Sequence, residues 1–87
     1  MPTEVTHERR LDEATKLSRA RSLASSGAAR TIRLANHLSL AEMARAAGIG
    51  SPVTVMRWER GERSPRGEAA IRYCELLDRL MRPGGSR

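Results

Sequence analysis

The chain has 87 residues, with 16 lysines and arginines against 10 acidic residues, a formal net charge of +6 and a pI of about 11.2. That length suits one small domain, whose core, with no phenylalanine present, must rest on Leu, Ile, Val, Met, Ala and the single Trp58. A lone cysteine, Cys74, excludes an intrachain disulfide and fits a reducing, cytoplasmic setting, and neither an apolar signal-peptide core nor an apolar run of membrane-spanning length occurs.

Strong basicity in so small a domain points to a polyanion partner. The excess of arginine over lysine (Lys16 is the only lysine) also follows from a GC-rich genome, but the net positive charge does not.

Residues 1–26 are polar and mixed in charge, with a thin helical stripe of Leu11, Ala14, Leu17, Ala20 and Leu23 that Thr6 would cap. Ser25-Ser26-Gly27 breaks this helix or joins it to the next. A docked helix and a frayed arm are equal readings, so residues 1–24 are expected as an N-terminal arm, weakly helical or frayed. Residues 28–37 read as the first helix of the domain proper, which spans 25–82, with Ile32, Leu34 and Ala35 turned to the core.

The next segment is the most informative. Ser39 caps a helix over Leu40–Ala47, Glu42 completes a capping box, and Gly48 suits the left-handed residue that stops it. Ser51 caps a second helix over residues 51–60, Pro52 fits its first turn, and Gly61 ends it. Ala44 and Ala47 are small where the two helices must approach, and Ile49, Val55 and Trp58 fill the space between them. Two short helices around a glycine-bearing turn form a helix-turn-helix pattern. A connector at residues 61–65 leads to a last helix over residues 67–81, striped by Ala70, Tyr73, Cys74, Leu77 and Leu80 or Met81. Pro83-Gly84-Gly85 ends the fold and residues 83–87 are a tail.

The segment resembles the Cro/C1-type, or XRE, helix-turn-helix family. The residues that carry the likeness are Leu38-Ser39, Ala44, Gly48-Ile49, Thr54-Val55, Trp58-Glu59, Gly61 and Pro65, with Arg33 at the position of a family arginine that pairs with the glutamate at Glu59. The likeness spans about two-thirds of the chain, residues 25–81, and is specific because many positions agree in order and spacing. Two positions depart from the pattern. Gly50 is an extra turn residue, and Leu40 stands where the family often has a phosphate-holding glutamine. The resemblance implies an all-α bundle of four or five helices, a lambda-repressor-like DNA-binding domain, acting as a Cro-like phage or bacterial repressor by operator occupancy.

In that setting the second motif helix enters the major groove of double-stranded DNA. Helical spacing gives Pro52, Val53, Met56 and Arg57 as its base-reading face, with Arg57 the strongest reader because a guanidinium grips guanine O6 and N7. Val53 and Met56 have apolar contact with a thymine methyl as their role, or serve as spacers. Ser39, Ser51, Thr54, Arg60, Arg63 and Arg66 are the phosphate candidates; for Thr54 the plain alternative is a bond back to its own helix. Arg33, Ala44, Gly48, Val55, Trp58 and Glu59 are structural, and Arg9, Arg10, Arg19, Arg72, Arg79 and Arg82 are read as solvated surface charges.

No cofactor and no metal is expected, since His7, His37 and Cys74 are scattered, and no nucleophile triad or phosphate-binding glycine loop supports an enzyme. Ile71, Cys74, Leu77 and Met81 offer more apolar positions than one stripe needs, which makes the last helix the candidate homodimer surface, on DNA if not free. Two other readings remain open. The first is an antitoxin whose N-terminal arm binds a protein partner, and the second is a helix-turn-helix interaction module without DNA binding.

Overall fold

The computed structural model describes residues 2–82, with side chains from residue 7 onward. The tail at residues 83–87 and a side-chain cap from Thr6 lie outside what is described. Five α-helices and no strand occur among the described residues: α1 (Pro2–Ser25), α2 (Ala28–Ala35), α3 (Leu40–Ala47), α4 (Pro52–Glu59) and α5 (Gly67–Met81). The backbone is already helical at Pro2, upstream of the start expected at Thr6.

The N-terminal segment is a docked helix rather than a frayed arm. Its second half packs chiefly on α5, and it also meets α2 and α4. Ala20 and Ala24, one turn apart, are fully covered, and their lack of bulk lets the two helix backbones come close. Leu17 and Leu23 are half-buried beside them, whereas Leu11 and Ala14, the start of the expected stripe, are exposed. Polar links border this seam. Lys16 Nζ lies 2.8 Å from Glu75 and 3.2 Å from Asp12, Arg19 Nε lies 2.8 Å from Asp78, and Arg21 Nε donates to the Pro65 carbonyl at 2.8 Å. Arg19 is therefore a paired side chain, not the solvated charge expected of it.

On α2 the inward positions are Ala29 and Arg33, with Ile32 half-buried. Leu34 and Ala35, expected in the core, are exposed. At about 100° per residue, an inward Arg33 carries the next two side chains round to solvent. The core then fills from Met43, Ala44 and Ala47 of α3, Ile49 of the turn, Val55 and Trp58 of α4, and Ala70, Tyr73, Cys74 and Leu77 of α5. Trp58 and Tyr73 meet edge to face, with ring centroids 5.1 Å apart at 61°. The Tyr73 hydroxyl is buried without a hydrogen-bond partner. Burial first, then the negative charge of Glu59, pushes that hydroxyl far above the usual tyrosine range.

Cys74 and Leu77 are 0% exposed, which removes them from the candidate dimer surface; Ile71 is half-buried and Met81 is 39% exposed. What seemed surplus on α5 is covered within the chain, because α5 has α1 on one side and the helix-turn-helix on the other. Arg72, expected as a solvated charge, closes the end of α3. Its Nε donates to the Ala47 carbonyl at 2.8 Å and a second nitrogen to the Gly48 carbonyl at 3.1 Å, where a cation also meets the negative end of the helix dipole. Gly48 has φ +67, and a Cβ there would lie 3.0 Å from that guanidinium, so backbone conformation and close approach both call for glycine.

Two stability outcomes follow from this core. Trp58→Ala is expected to cost about 3–5 kcal/mol in denaturant unfolding, by removing one half of the aromatic pair; a loss below about 1 kcal/mol would contradict a structural role for the ring. Tyr73→Phe is expected to raise stability by about 1 kcal/mol, since it deletes a buried hydroxyl that has no partner. A clear destabilisation in the same assay would mean that the hydroxyl is hydrogen-bonded in solution.

Candidate nucleic-acid interface

The first motif helix, α3, is closed at its start by a reciprocal cap. The Glu42 backbone N–H donates to Ser39 Oγ at 3.0 Å, and the Ser39 N–H donates to Glu42 Oε1 at 2.8 Å. The Ser39 backbone bond, then its hydroxyl, hold the Glu42 carboxyl below the usual carboxylate range. The stabilisation from this group is therefore complete above the ordinary carboxylate value and is lost as pH falls through the lowered one. After Gly48 the Ile49 N–H returns to the Ala44 carbonyl at 2.7 Å and its side chain enters the core. Gly50 does not take a positive φ, and a Cβ built on it meets nothing within 4 Å. The extra turn residue thus bulges into solvent and leaves the α3–α4 packing intact. Ser51 Oγ then accepts the Val53 N–H at 3.1 Å, with Pro52 opening α4.

Helical periodicity sorts the side chains of α4. Val55 and Trp58 point inward. Pro52, Val53 and Arg57 are exposed, and Thr54 and Met56 are half-buried, so these five lie on the outer side of the helix. Ser39, Arg60, Arg63 and Arg66 are also exposed, and Ser51 is half-buried.

The orientation of α4 is set by a buried ion pair. Arg33 Nε lies 2.7 Å from one Glu59 oxygen and a second guanidinium nitrogen lies 2.9 Å from the other, a two-pronged grip. The remaining nitrogen donates to the Leu38 carbonyl at 3.0 Å. One side chain of α2 thereby holds both the last residue of α4 and the bend that leads into α3. The hydrogen bond to Glu59 raises the Arg33 pKa further against the opposing effect of burial.

Past Glu59 the chain folds back on α4. The Glu62 and Arg63 N–H groups both reach the Arg57 carbonyl, at 2.9 and 3.3 Å, around Gly61 with φ +75. This return brings Arg63 beside Arg57. Together with Thr54, Trp58, Ser64 and Arg66 they line a cleft of about 310 Å³. Three guanidinium groups and two hydroxyls around one concave space make an anion-binding chemistry, and Arg57, Arg63 and Arg66 form no ion pair among the described residues. Arg60 is not part of the cleft; it faces Glu62 at 3.9 Å. Ser64 escaped sequence reasoning, because only the fold-back shows that a connector serine flanked by arginines shares their cleft.

The helix-turn-helix family model matches residues 30–80. The chain belongs to this family, the Cro/C1-type or XRE helix-turn-helix proteins. No curated protein and no solved structure matches the chain. The matched segment runs from α2 to the end of α5 and leaves α1 outside it. The family is one of DNA-binding regulators, which suits the exposed outer face of α4 and the basic cleft beside it. Among the described residues, no helix is long and apolar enough to cross a membrane.

Gly50→Ala is expected to raise stability by about 0.4–1 kcal/mol in thermal or denaturant unfolding, because the unfolded chain loses freedom at a position whose folded conformation accepts a side chain. A loss of more than about 1 kcal/mol would show that the longer turn requires glycine.

Proposed function

We propose that this protein is a Cro-like transcriptional repressor that works by occupying an operator, with α4 in the major groove of double-stranded DNA. The basic cleft carries the reading. It joins the end of the reading helix to the following connector and concentrates three arginines where a duplex backbone would run. Pro52, Val53, Met56 and Arg57 face the base edges. Arg57 donates to guanine, and Val53 and Met56 contact apolar surface such as a thymine methyl. Arg63 and Arg66 hold phosphate from the cleft, with Thr54 contributing its hydroxyl. Arg60, Ser51 and Ser39 meet the backbone at the ends of the motif helices. Leu40 offers no side-chain donor, so the start of α3 reaches phosphate through backbone N–H groups. No ligand is needed, because occupancy itself would block polymerase. Two copies would read half-sites about 34 Å apart, joined by surfaces other than the α5 face that α1 covers.

Selection of bound duplexes from random DNA, followed by titration at several salt concentrations, tests this directly. Log affinity is expected to fall steeply with log salt, with a slope of about −0.9 per phosphate neutralised. Arg57→Ala should relax preference at one base pair, at a cost of about 1–3 kcal/mol on the selected site and much less on random duplex. Arg63→Ala should weaken both kinds of DNA alike. A salt-independent affinity would refute phosphate binding through the cleft, and equal losses on both duplexes for Arg57→Ala would reassign Arg57 to the backbone.

A further inference from the structure

The connector that lines the basic cleft is held from outside the family module. Past Arg63 it has little backbone support of its own. Pro65 has no N–H, and the N–H groups of Ser64 and Arg66 find no backbone partner among the described residues. Two features place it. The Pro65 ring is fully buried, and the Pro65 carbonyl takes the 2.8 Å hydrogen bond from Arg21 Nε on α1. Ser64 and Arg66, on either side of that carbonyl, both line the cleft. The side chain that grips the connector belongs to the one helix the family match leaves out.

We propose that Arg21 is a positioning residue for DNA affinity, and that docking of α1 and the grip of Arg63 and Arg66 on phosphate are coupled through Pro65. The proposal rests on the DNA-binding reading and assigns α1 a part in it. The coupling has a physical basis in how α1 is held. Its apolar seam is two alanines and two half-buried leucines, and its border is exposed ion pairs, Lys16 with Glu75 and Arg19 with Asp78. Such pairs are individually weak and screened by salt. The polar border of α1, made by such pairs, therefore opens more readily than the buried core, and the end of α1 can separate locally from the connector. When α1 lifts, the Pro65 carbonyl loses its donor and the arginines on either side of it lose their fixed spacing. Coupling is reciprocal, so DNA in the cleft also favours the seated α1.

The test uses the full chain and the duplex recovered by selection from random DNA. Arg21→Met keeps the aliphatic stem and removes the donors, and Arg21→Ala removes both; cooperative thermal melting verifies that each is folded. Both are expected to bind at least about fivefold more weakly than the unaltered chain. In an Arg63→Ala/Arg66→Ala background the further effect of Arg21→Met should shrink below about twofold, because the groups it positions are gone. Hydrogen exchange should show residues 17–25 more protected on DNA binding in the unaltered chain, and less so in Arg21→Met. Undiminished affinity in a folded Arg21→Met chain overturns the proposal. So does a loss that persists in full without Arg63 and Arg66, which would make Arg21 a direct phosphate contact. Unfolding of both variants would make it a purely structural residue, and a lack of DNA binding by the unaltered chain would remove the DNA reading itself.

Discussion

Everything α4 can present depends on the angle at which it leaves the bundle, and that angle is held by the Arg33–Glu59 pair. Both side chains are almost covered, 10% and 4% exposed, and stripping two charges of water is expensive. The two-pronged contact, with the Leu38 carbonyl on the third nitrogen, satisfies the guanidinium from three directions. A hydrophobic pair of similar volume would give comparable stability. It would not join the end of α4, the bend before α3 and the middle of α2 at fixed hydrogen-bonding distances. The contribution of the pair is therefore geometric. Tyr73 packs on the same assembly through Trp58, and its unpartnered hydroxyl marks a site where shape outweighs polar satisfaction.

The scarcity of aromatic residues shapes the rest. With one Trp and one Tyr, the core is made by close approach of small side chains around that pair. Ala44 and Ala47 let α3 sit against α4, Ala29 seats α2, and Ala20 and Ala24 let α1 lie on α5. Close backbones leave little room for methylene stems, so the polar links fall at the borders of the seams, where Lys16, Arg19, Arg21 and Arg72 find partners. With α1, α2 and α3 all packed on α5, Cys74 and Leu77 are left fully buried.

The parts of the fold that were legible in the sequence are those written in local chemistry. Ser39 with Glu42, Gly48, Ser51 with Pro52, and Gly61 mark the ends of α3 and α4 because capping and left-handed turns involve only neighbouring residues. The sequence left the docking of α1 undecided. Its fully buried contacts are alanines, which carry almost no hydrophobic signal, Leu17 and Leu23 are only half-buried, and Leu11 stands in solvent. The facing of α2 misled for a related reason. The apolar pattern favours Leu34, but a paired arginine one residue earlier takes the inward position. At the candidate site, the outer side of α4 follows from period alone. The cleft does not, because it forms only when the chain turns back at Gly61 and lays residues 62–66 against Arg57.

A net charge of +6 describes the chain but not where the field lies. Glu59 is spent on Arg33, Glu75 on Lys16, Asp78 on Arg19, and Glu42 on the cap of α3. Glu59, Glu75 and Asp78 neutralise cations that hold helices together, and Glu42 is engaged by Ser39. The cleft has no carboxylate in its lining. Three arginines without an ion pair among the described residues thereby share one edge, beside the exposed face of α4. Low-dielectric walls from Trp58 and the α4 backbone strengthen that field locally. An anion entering this cleft meets three arginines and no carboxylate, and the residues that would read bases lie directly next to it.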